Sequence, residues 1–289
     1  MKIEDYNISI VIPTLNRIGT LPRALDSVLN QTYQPSEIIV VDNGSSDGTI
    51  NLLKERYPSI KLLSEKKLGV SAARNRGIRY SRFPWIALLD SDDAWEKTKL
   101  EKQKNALLSS LEKYRLVHTN EIWIRNGIKF NQMKKHKKFG GDIFNKCLSL
   151  CCISPSSVLI NKNIFEEVGY FDESLPVCED YDLWLKISSQ ENILFVNQKL
   201  TLKYGGHNDQ LSKTYWGMDR FRIKSLENLI LNYNLKPDQK LNAIKTIIKK
   251  LKIIVNGAYK RNNSSIIDKY EKKLLYWKNI SSSNLEKIK

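Results

Sequence analysis

Residues 85–93, W-I-A-L-L-D-S-D-D, decide the fold prediction for this chain. The apolar run Trp85–Leu89 is typical of a buried strand, and Asp90, Asp92 and Asp93 follow directly at its end. Three carboxylates so close together repel one another unless a cation or strong hydrogen-bond donors neutralise them. Hard divalent cations such as Mg²⁺ or Mn²⁺ prefer clustered oxygen ligands. The segment therefore predicts a metal-binding loop after a buried strand. The alternative is a solvated acidic turn that caps the next helix.

Short apolar runs alternate with amphipathic segments on both sides of this strand. That alternation is typical of a mainly parallel sheet covered by helices. Strands are predicted at residues 8–12, 37–41, 60–63 and 85–89, and helices at 20–30, 49–57, 70–80 and 95–111. The predicted fold class is α/β, with a mixed, mainly parallel, Rossmann-like sheet flanked by helices.

The pattern changes after residue 111. Residues 116–130 alternate as two strands around Asn126-Gly127, a hairpin signal. Further strands are predicted at 157–160 and 193–202, and helices at 164–168 and 180–189. From Trp216 onward only helical patterns remain. A chain of 289 residues can hold one large domain with an appendage, so we predict an α/β domain over residues 1–215 and a basic helical C-terminal extension over 216–289.

Charge, cysteine content and the lengths of the apolar stretches indicate where in the cell the protein is expected. The net charge is +16, and residues 210–289 hold 18 Lys and Arg against 6 Asp and Glu. The four cysteines are too few and too clustered for a secreted disulfide scaffold, which favours reduced thiols. The first apolar stretch, Ile8–Ile12, is too short for a signal peptide, and no stretch reaches the roughly 20 apolar residues of a membrane span. We expect a cytoplasmic chain.

A further carboxylate, Asp42, also stands directly after a predicted strand. Ligands of open parallel sheets bind in the crevice beyond the carboxyl ends of the strands. Asp42 and Asp90 are therefore predicted to face the same mouth. An Asp before Asn43-Gly44 is equally expected in a plain turn.

Four motifs then occur in order: V-I-P-T-L-N-R at 11–17, V-V-D-N-G-S-S-D-G-T at 40–49, G-V-S-A-A-R-N-R-G at 69–77 and L-L-D-S-D-D-A-W at 88–95. Together they resemble the donor half of the family 2 glycosyltransferases. The similarity continues more weakly through E-D-Y-D-L-W at 179–184 to His207. It implies the GT-A fold, a nucleotide-sugar donor, a saccharide or lipid-linked saccharide acceptor, and Mn²⁺ or Mg²⁺ as cofactor.

The resemblance also implies which residues bind the nucleotide sugar. Asp42 would accept a hydrogen bond from the imide N–H of the base, which favours uracil or thymine. Arg74 and Asn75 would hold the diphosphate or the sugar, since a guanidinium fork suits phosphate oxygens. Asp93 would contact the donor sugar or support the metal ligands. The full donor-binding set is Pro13, Thr14, Asn16, Arg17, Asp42, Arg74, Asn75, Asp90, Ser91 and Asp93.

The same resemblance assigns the metal and the base. Asp92, Asp90 and His207 would be the metal ligands, and the cation would stabilise charge that develops on the leaving diphosphate. The acceptor hydroxyl must lose a proton, so a base is required. Glu179-Asp180 begins a predicted helix, whose N–H groups favour ionised carboxylates. Asp180 is the predicted base and Glu179 its neighbour or an acceptor contact, with Asp182 as a less favoured alternative. In-line displacement would invert the anomeric configuration.

Two other functional classes stay open. A sugar nucleotidylyltransferase also combines an α/β nucleotide domain with a metal, but it carries a glycine-rich loop where this chain has P-T-L-N-R. A nucleic-acid-binding protein would use the basic tail, yet it leaves the acidic cluster unexplained, so we expect no nucleic-acid partner.

The basic tail has two interpretations of its own. Residues 240–259 place Leu241, Ile244, Ile248, Leu251 and Val255 at helical spacing, with Lys245, Lys249, Lys250 and Lys252 on other faces. Such a helix either lies on the anionic inner face of a membrane, which suits a lipid-linked acceptor, or packs its apolar stripe on the α/β domain.

Overall fold

The computed structural model describes residues 6–111, 113–206 and 214–286. The strands are β1 Ile8–Thr14, β2 Glu37–Asp42, β3 Lys61–Ser64, β4 Trp85–Leu88, β5 Ala94–Trp95, β6 Leu116–Arg125, β7 Ile128–Phe130, β8 Val158–Asn161 and β9 Leu194–Gly205. The helices are α1 Leu21–Leu29, α2 Thr49–Arg56, α3 Val70–Tyr80, α4 Lys99–Ser109, α5 Phe144–Cys147, α6 Asn163–Val168, α7 Glu179–Ser188, α8 Asp219–Asn232, α9 Pro237–Tyr259 and α10 Ser264–Glu286.

The strands of this described part form one sheet, in the order β3-β2-β1-β4-β8-β6-β9-β5, and β7 pairs with β6 beside this path. Strands β1 to β4 are parallel to one another, as are β6 and β9. Strand β8 runs antiparallel between β4 and β6. Every residue of β1 and β4 is buried, because helices cover both faces of the parallel half. The predicted mixed, mainly parallel α/β sheet is confirmed.

Helix α3 packs against the sheet at Gly77, which carries no side chain. A Cβ at this position would lie 2.4 Å from Val11 Cγ1 and 3.1 Å from Val41 Cγ2. Real Cβ atoms do not approach as closely as 2.4 Å, so any other residue here would force α3 or Val11 to shift. The first turns of α3, which carry Arg74 and Asn75, are thereby held at the carboxyl edge of β1.

The predicted helix over residues 95–111 is wrong at its beginning. Ala94 and Trp95 instead form β5, which pairs with β9 at Leu202 and Thr201. Trp95 is buried, and its indole N–H donates a hydrogen bond to the Ser156 carbonyl at 2.7 Å. Helix α4 therefore begins only at Lys99, after the backbone of residue 95 has been used in the sheet.

The C-terminal helices pack on the sheet domain, which confirms the second interpretation of the apolar stripe. Ile244, Leu251 and Val255 belong to the same core cluster as side chains of β1, β2 and β4. The assignment of Lys250 to a solvated face is wrong, because its ammonium is buried and donates to Asp219 at 2.9 Å and to the Ser149 carbonyl at 3.0 Å.

Helix α9 is also tied to the end of α7. The Gln239 side chain donates a hydrogen bond to the Ser189 carbonyl at 3.1 Å.

The domain boundary between residues 215 and 216 stays a prediction. Within the described ranges, no helix combines the length and apolar composition that crossing a bilayer requires.

Candidate active site

A cavity of about 790 Å³ opens at the carboxyl ends of β1 and β4. Its walls are the loop after β1, the beginning of α3, the loop after β4 and residues 173–176, together with Lys203 and Tyr215. The parallel strands bring these loops to one edge, where α/β sheets bind ligands. The cavity therefore lies at the edge of the sheet where the sequence predicts the site.

The loop after β1 forms one wall, and Pro13, Thr14, Asn16 and Arg17 all line the cavity. Asn16 has a positive φ of 52°, which asparagine tolerates better than most residues. Its side-chain oxygen accepts a hydrogen bond from the Ser46 N–H at 2.8 Å. Asn16 therefore fixes this loop to the loop after β2, and its contact with a nucleotide stays a prediction.

Asp42 lies behind the cavity wall. Its carboxylate accepts hydrogen bonds from the N–H groups of Gly44 at 3.0 Å and Ser45 at 3.2 Å, so it shapes the turn after β2. Its neighbour Asn43 lines the cavity and was missed in the sequence. The Asn43 amide oxygen accepts a hydrogen bond from the Gly69 N–H at 2.8 Å, which joins β2 to the beginning of α3. The contact of Asp42 with a base stays a prediction.

Arg74 joins the two acidic motifs of the chain. Its Nη2 atom lies 2.6 Å from Asp90 Oδ1 and its Nη1 atom 2.7 Å from Glu179 Oε1. Burial would lower the pKa of this guanidinium, but the charges of Asp90 and Glu179 raise it above its usual value. Arg74 lines the cavity while only 3% exposed. Its fork holds two carboxylates and so positions Asp90 against α7, while its contact with the diphosphate or the sugar stays a prediction.

Asn75 does not line the cavity. Its amide donates to the Phe171 carbonyl at 2.9 Å and to Glu173 Oε1 at 2.8 Å, and it accepts from the Phe171 N–H at 3.1 Å. These bonds use the buried side chain to hold the segment that forms the opposite cavity wall. The predicted contact of Asn75 with the sugar or the diphosphate stays a prediction.

Asp93 also turns away from the cavity. Its carboxylate accepts hydrogen bonds from the Ser156 hydroxyl at 2.6 Å and the Tyr204 N–H at 2.9 Å. Burial and the charge of Asp92 raise the pKa of Asp93 well above its usual range. This buried side chain ties the loop after β4 to β9, and its contact with the donor sugar or its support of the metal ligands stays a prediction. Ser91, by contrast, lines the cavity, and its contact with the nucleotide sugar stays a prediction.

Asp90 and Asp92 line the cavity together and are the carboxylates that a cation could use. His207, the third predicted ligand, lies outside the described residues. Among the residues described, no group of three His, Cys, Asp or Glu side chains is arranged to hold a metal. Mg²⁺ is commonly held by one or two carboxylates, with waters and substrate phosphates completing the shell. The two aspartates fit that chemistry.

Glu179 and Asp180 begin α7, directly after Cys178, whose φ of 65° turns the chain into the helix. Burial and the charge of Asp180 raise the pKa of Glu179 to about 7, against the lowering effect of Arg74. Asp180 is half-buried, and Cys151 donates its S–H to Asp180 Oδ2 at 3.2 Å. Neither acid is among the residues that line the cavity, and Glu179 is joined to it through Arg74, which does line it.

Asp182 is buried one turn along α7. It pairs with Lys186 at 2.6 Å, which makes it unsuitable as the alternative base. The prediction that ranked Asp180 above it agrees with this arrangement, although the role of Asp180 as base stays a prediction.

Lys203, near the end of β9, is a cavity-lining cation that sequence analysis missed. Its ammonium donates a hydrogen bond to Ser154 Oγ at 3.1 Å. Burial lowers the pKa of Lys203, but the charges of Glu121, Asp93, Asp90 and Asp180 raise it above its usual value. The signal that the sequence offered was the place of Lys203 one residue beyond a predicted strand. A single lysine at such a place is too common to predict a binding site.

Comparisons with known proteins show the family to which this chain is similar. Residues 9–169 match the family model described as glycosyl transferase family 2. WfgD of Escherichia coli, a UDP-Glc:alpha-D-GlcNAc-diphosphoundecaprenol beta-1,3-glucosyltransferase, is 33% identical over 202 residues, which cover 68% of this chain and 75% of that protein. A Rickettsia felis protein with the name uncharacterized glycosyltransferase is 29% identical over 275 residues, or 92% of this chain and 44% of that protein.

The length and the fold complete the comparison. This chain spans between 29% and 44% of the length of three Rickettsia relatives. The S. aureus TarS structure in complex with UDP-GlcNAc superposes with a TM-score of 0.68 at 15% identity, covering 92% of this chain and 90% of that one. That likeness confirms the GT-A fold. The family match covers more than half of the residues and includes all four motifs between residues 11 and 95, and the chain therefore belongs to glycosyl transferase family 2.

Proposed function

We propose that this chain transfers a sugar from a nucleoside-diphosphate donor, UDP- or dTDP-linked, to a hydroxyl of a saccharide or lipid-linked saccharide acceptor. Such a reaction belongs to the synthesis of cell-surface polysaccharide or glycolipid. The proposal rests on the family, on the cavity and on one contact within it.

That contact is the double ion pair of Arg74. Sugar transfer needs a site that binds the leaving diphosphate and, on the opposite face of the sugar, a base that accepts the acceptor proton. Arg74 links Asp90, on the donor side of the cavity, to Glu179, the neighbour of the proposed base Asp180, through two bonds of 2.6 and 2.7 Å. Residues 16 and 105 positions apart from Arg74 thus meet at one guanidinium.

Asp90 and Asp92 would hold a Mn²⁺ or Mg²⁺ ion, which when bound supplies positive charge to the diphosphate of the donor. Asp180 would take the proton of the acceptor hydroxyl. Glu179 stays fixed by Arg74, so it limits the freedom of the first turn of α7 and keeps Asp180 at one position. Attack from the side of Asp180, opposite the diphosphate, would invert the anomeric configuration.

The names of the relatives support the substrate class. WfgD is named for a UDP-linked donor and a diphosphoundecaprenol-linked acceptor, and TarS was solved with UDP-GlcNAc. A UDP-linked donor and an acceptor carried on a polyprenyl diphosphate are therefore the first substrates to try.

Transfer of radiolabelled sugar from a panel of UDP- and dTDP-sugars tests the proposal, with Mn²⁺ or with EDTA. We expect transfer only with the metal. Asp92→Asn should lose metal-dependent nucleotide binding, and Asp180→Asn should bind donor normally but transfer about 100-fold more slowly or less. Asp268→Asn, a change at an exposed aspartate of α10, is the matched control. Parental transfer rates in both site variants would refute these roles. Full activity in EDTA would refute the requirement for a metal ion.

We also propose that the exposed face of α9 touches the anionic inner face of the cytoplasmic membrane. Lys245, Lys249 and Lys252 lie on this face at helical spacing, and Ile253 and Tyr259 beside them are 56% and 52% exposed. The apolar stripe is used in the core, so the contact would be electrostatic, at about 1 kcal/mol for each lysine.

Sedimentation with phosphatidylcholine vesicles, with or without phosphatidylglycerol, tests this contact. The parent should sediment only with the anionic vesicles and should be released by high salt. Replacing the three α9 lysines by Gln should abolish sedimentation, whereas Gln at the exposed Lys54, Lys97 and Lys102 should not. Equal sedimentation of both triple variants would contradict the proposal.

A further inference from the structure

Three basic side chains line the described part of the cavity: Arg17, Arg74 and Lys203. Arg74 is neutralised by its two carboxylates. Lys203 differs from it, because within the described residues its only hydrogen bond goes to Ser154 Oγ at 3.1 Å and it forms no direct ion pair. An ammonium carries three N–H donors, so two of them have no acceptor among the residues described.

Nearby carboxylates stabilise the positive charge of Lys203. Burial lowers its pKa, but Glu121, Asp93, Asp90 and Asp180 together raise it above the usual value. A half-buried ammonium at a cavity wall is therefore kept protonated by carboxylates that it does not touch.

Most of those carboxylates are already bound by other groups. Arg74 holds Asp90, and Lys138 lies 3.1 Å from Glu121 Oε1. Asp93 accepts hydrogen bonds on both of its oxygens. An anion that enters the cavity can consequently pair with Lys203 without displacing an existing salt bridge.

We infer that Lys203 binds the diphosphate of the nucleotide donor, the role that the sequence resemblance had given to Arg74. The inference rests on the proposed function, since it assumes a nucleoside-diphosphate ligand. Lysine binds phosphate as a compact point charge. Lys203 lines the cavity together with Asp90, from the β9 side, so a phosphate there would lie between this ammonium and the carboxylate loop that would hold a cation.

The position of Lys203 is fixed by its strand. It pairs with Trp123 across β6 and β9, and the next residue, Tyr204, donates its N–H to Asp93. The ammonium is thus delivered by a rigid element tied to the loop after β4, as preorganised binding of a charged group requires.

Calorimetric titration with UDP and with uridine separates the diphosphate from the base. Lys203→Gln should weaken UDP binding by about 10- to 100-fold, the range expected when one charge-assisted hydrogen bond is lost. Its uridine binding should be unchanged. Lys203→Arg keeps the charge and should recover most of the UDP affinity. Lys199→Gln, at an exposed lysine of the same strand, should bind UDP like the parent.

Loss of fold is checked with Lys138→Gln. Lys138 forms the ion pair with Glu121 but does not line the cavity, so its loss should lower stability without changing UDP binding relative to uridine binding. Equal weakening of UDP and uridine by Lys203→Gln, or parental affinity for both, overturns the inference. So does an unchanged UDP affinity with a shifted pH–rate profile, which would mean that Lys203 acts on Asp180. If the parent itself binds neither UDP nor dTDP and transfers no sugar, the proposed function fails, whereas a parent that transfers with an indifferent Lys203 refutes this inference alone.

Discussion

The double ion pair of Arg74 gives a quantitative prediction for Arg74→Gln. The substitution leaves Glu179, which is 7% exposed, and the half-buried Asp90 without their shared cation. Removing one partner of a buried pair costs about 3–5 kcal/mol, because the remaining charge stays buried without compensation. A domain of this kind is stable by about 5–15 kcal/mol, so the variant should still fold.

A double-mutant cycle isolates the contact. Glu179→Gln alone keeps Arg74 paired with Asp90, so it should cost less than about 2 kcal/mol. In the double variant the orphaned Glu179 carboxylate is gone, and its destabilisation should be about 2 kcal/mol smaller than the sum of the single effects. Urea unfolding followed by tryptophan fluorescence and by circular dichroism measures all four free energies.

Arg115→Gln is the matched control. Arg115 makes equally short ion pairs, with Glu167 at 2.6 Å and Glu191 at 2.5 Å, but its side chain is 35% exposed. Surface pairs contribute about 0–1 kcal/mol, so this variant should unfold close to the parent. If Arg74→Gln and Arg115→Gln destabilise equally, or if the cycle is additive, Arg74 does not couple the two motifs.

Three further outcomes concern stability. Burial lowers the pKa of His118 to about 4, below its ordinary 6.5, so its contribution is complete above pH 6.5 and is lost as the pH falls toward 4, by about 3 kcal/mol in total. The free energy of unfolding of His118→Gln should depend less on pH in that window. Gly77→Ala should destabilise by about 1–3 kcal/mol or more in thermal unfolding, since its Cβ would overlap Val11. Asn75→Ala should cost about 3 kcal/mol in urea unfolding, because Phe171 loses partners for its buried N–H and carbonyl groups.

Each of these has its own control. The parental pH profile serves for His118, and an identical slope in the variant would mean that another group is responsible. Gly19→Ala introduces a Cβ with no neighbour within 4 Å and should be nearly neutral, so equal effects at the two glycines would contradict the close approach of α3. Asn30→Ala removes an exposed amide with a local bond to Asp26, and it should cost little by comparison.

Sequence patterns predicted most strands and helices because local periodicity reports which side of a segment is buried. The parallel strands were found through their apolar runs, and the hairpin through Asn126-Gly127. Trp95 shows the limit. Its segment has a helical composition, but a partner strand more than a hundred residues away takes its backbone, and no local pattern records that pairing.

The site residues divide in the same way. Ser91, Asp90 and Asp92 follow a buried strand and were found from that position. The partners of Arg74, Asn75 and Asp93 could not be predicted, because each hydrogen bond joins segments that are distant in sequence. A motif names the residue type at an edge of the sheet, whereas the tertiary contacts determine which way its side chain turns.

The bond between Gln239 and Ser189 has a practical consequence for making hybrids of family members. Helix α7 starts with Glu179 and Asp180, and the Gln239 side chain of α9 donates one hydrogen bond to the carbonyl of Ser189, the residue directly after this helix. A graft that exchanges everything after residue 215 would also exchange the support beneath α7. The replacement helices for such a hybrid should be chosen by how well they pack against the end of α7. A poor fit would displace Glu179 and Asp180.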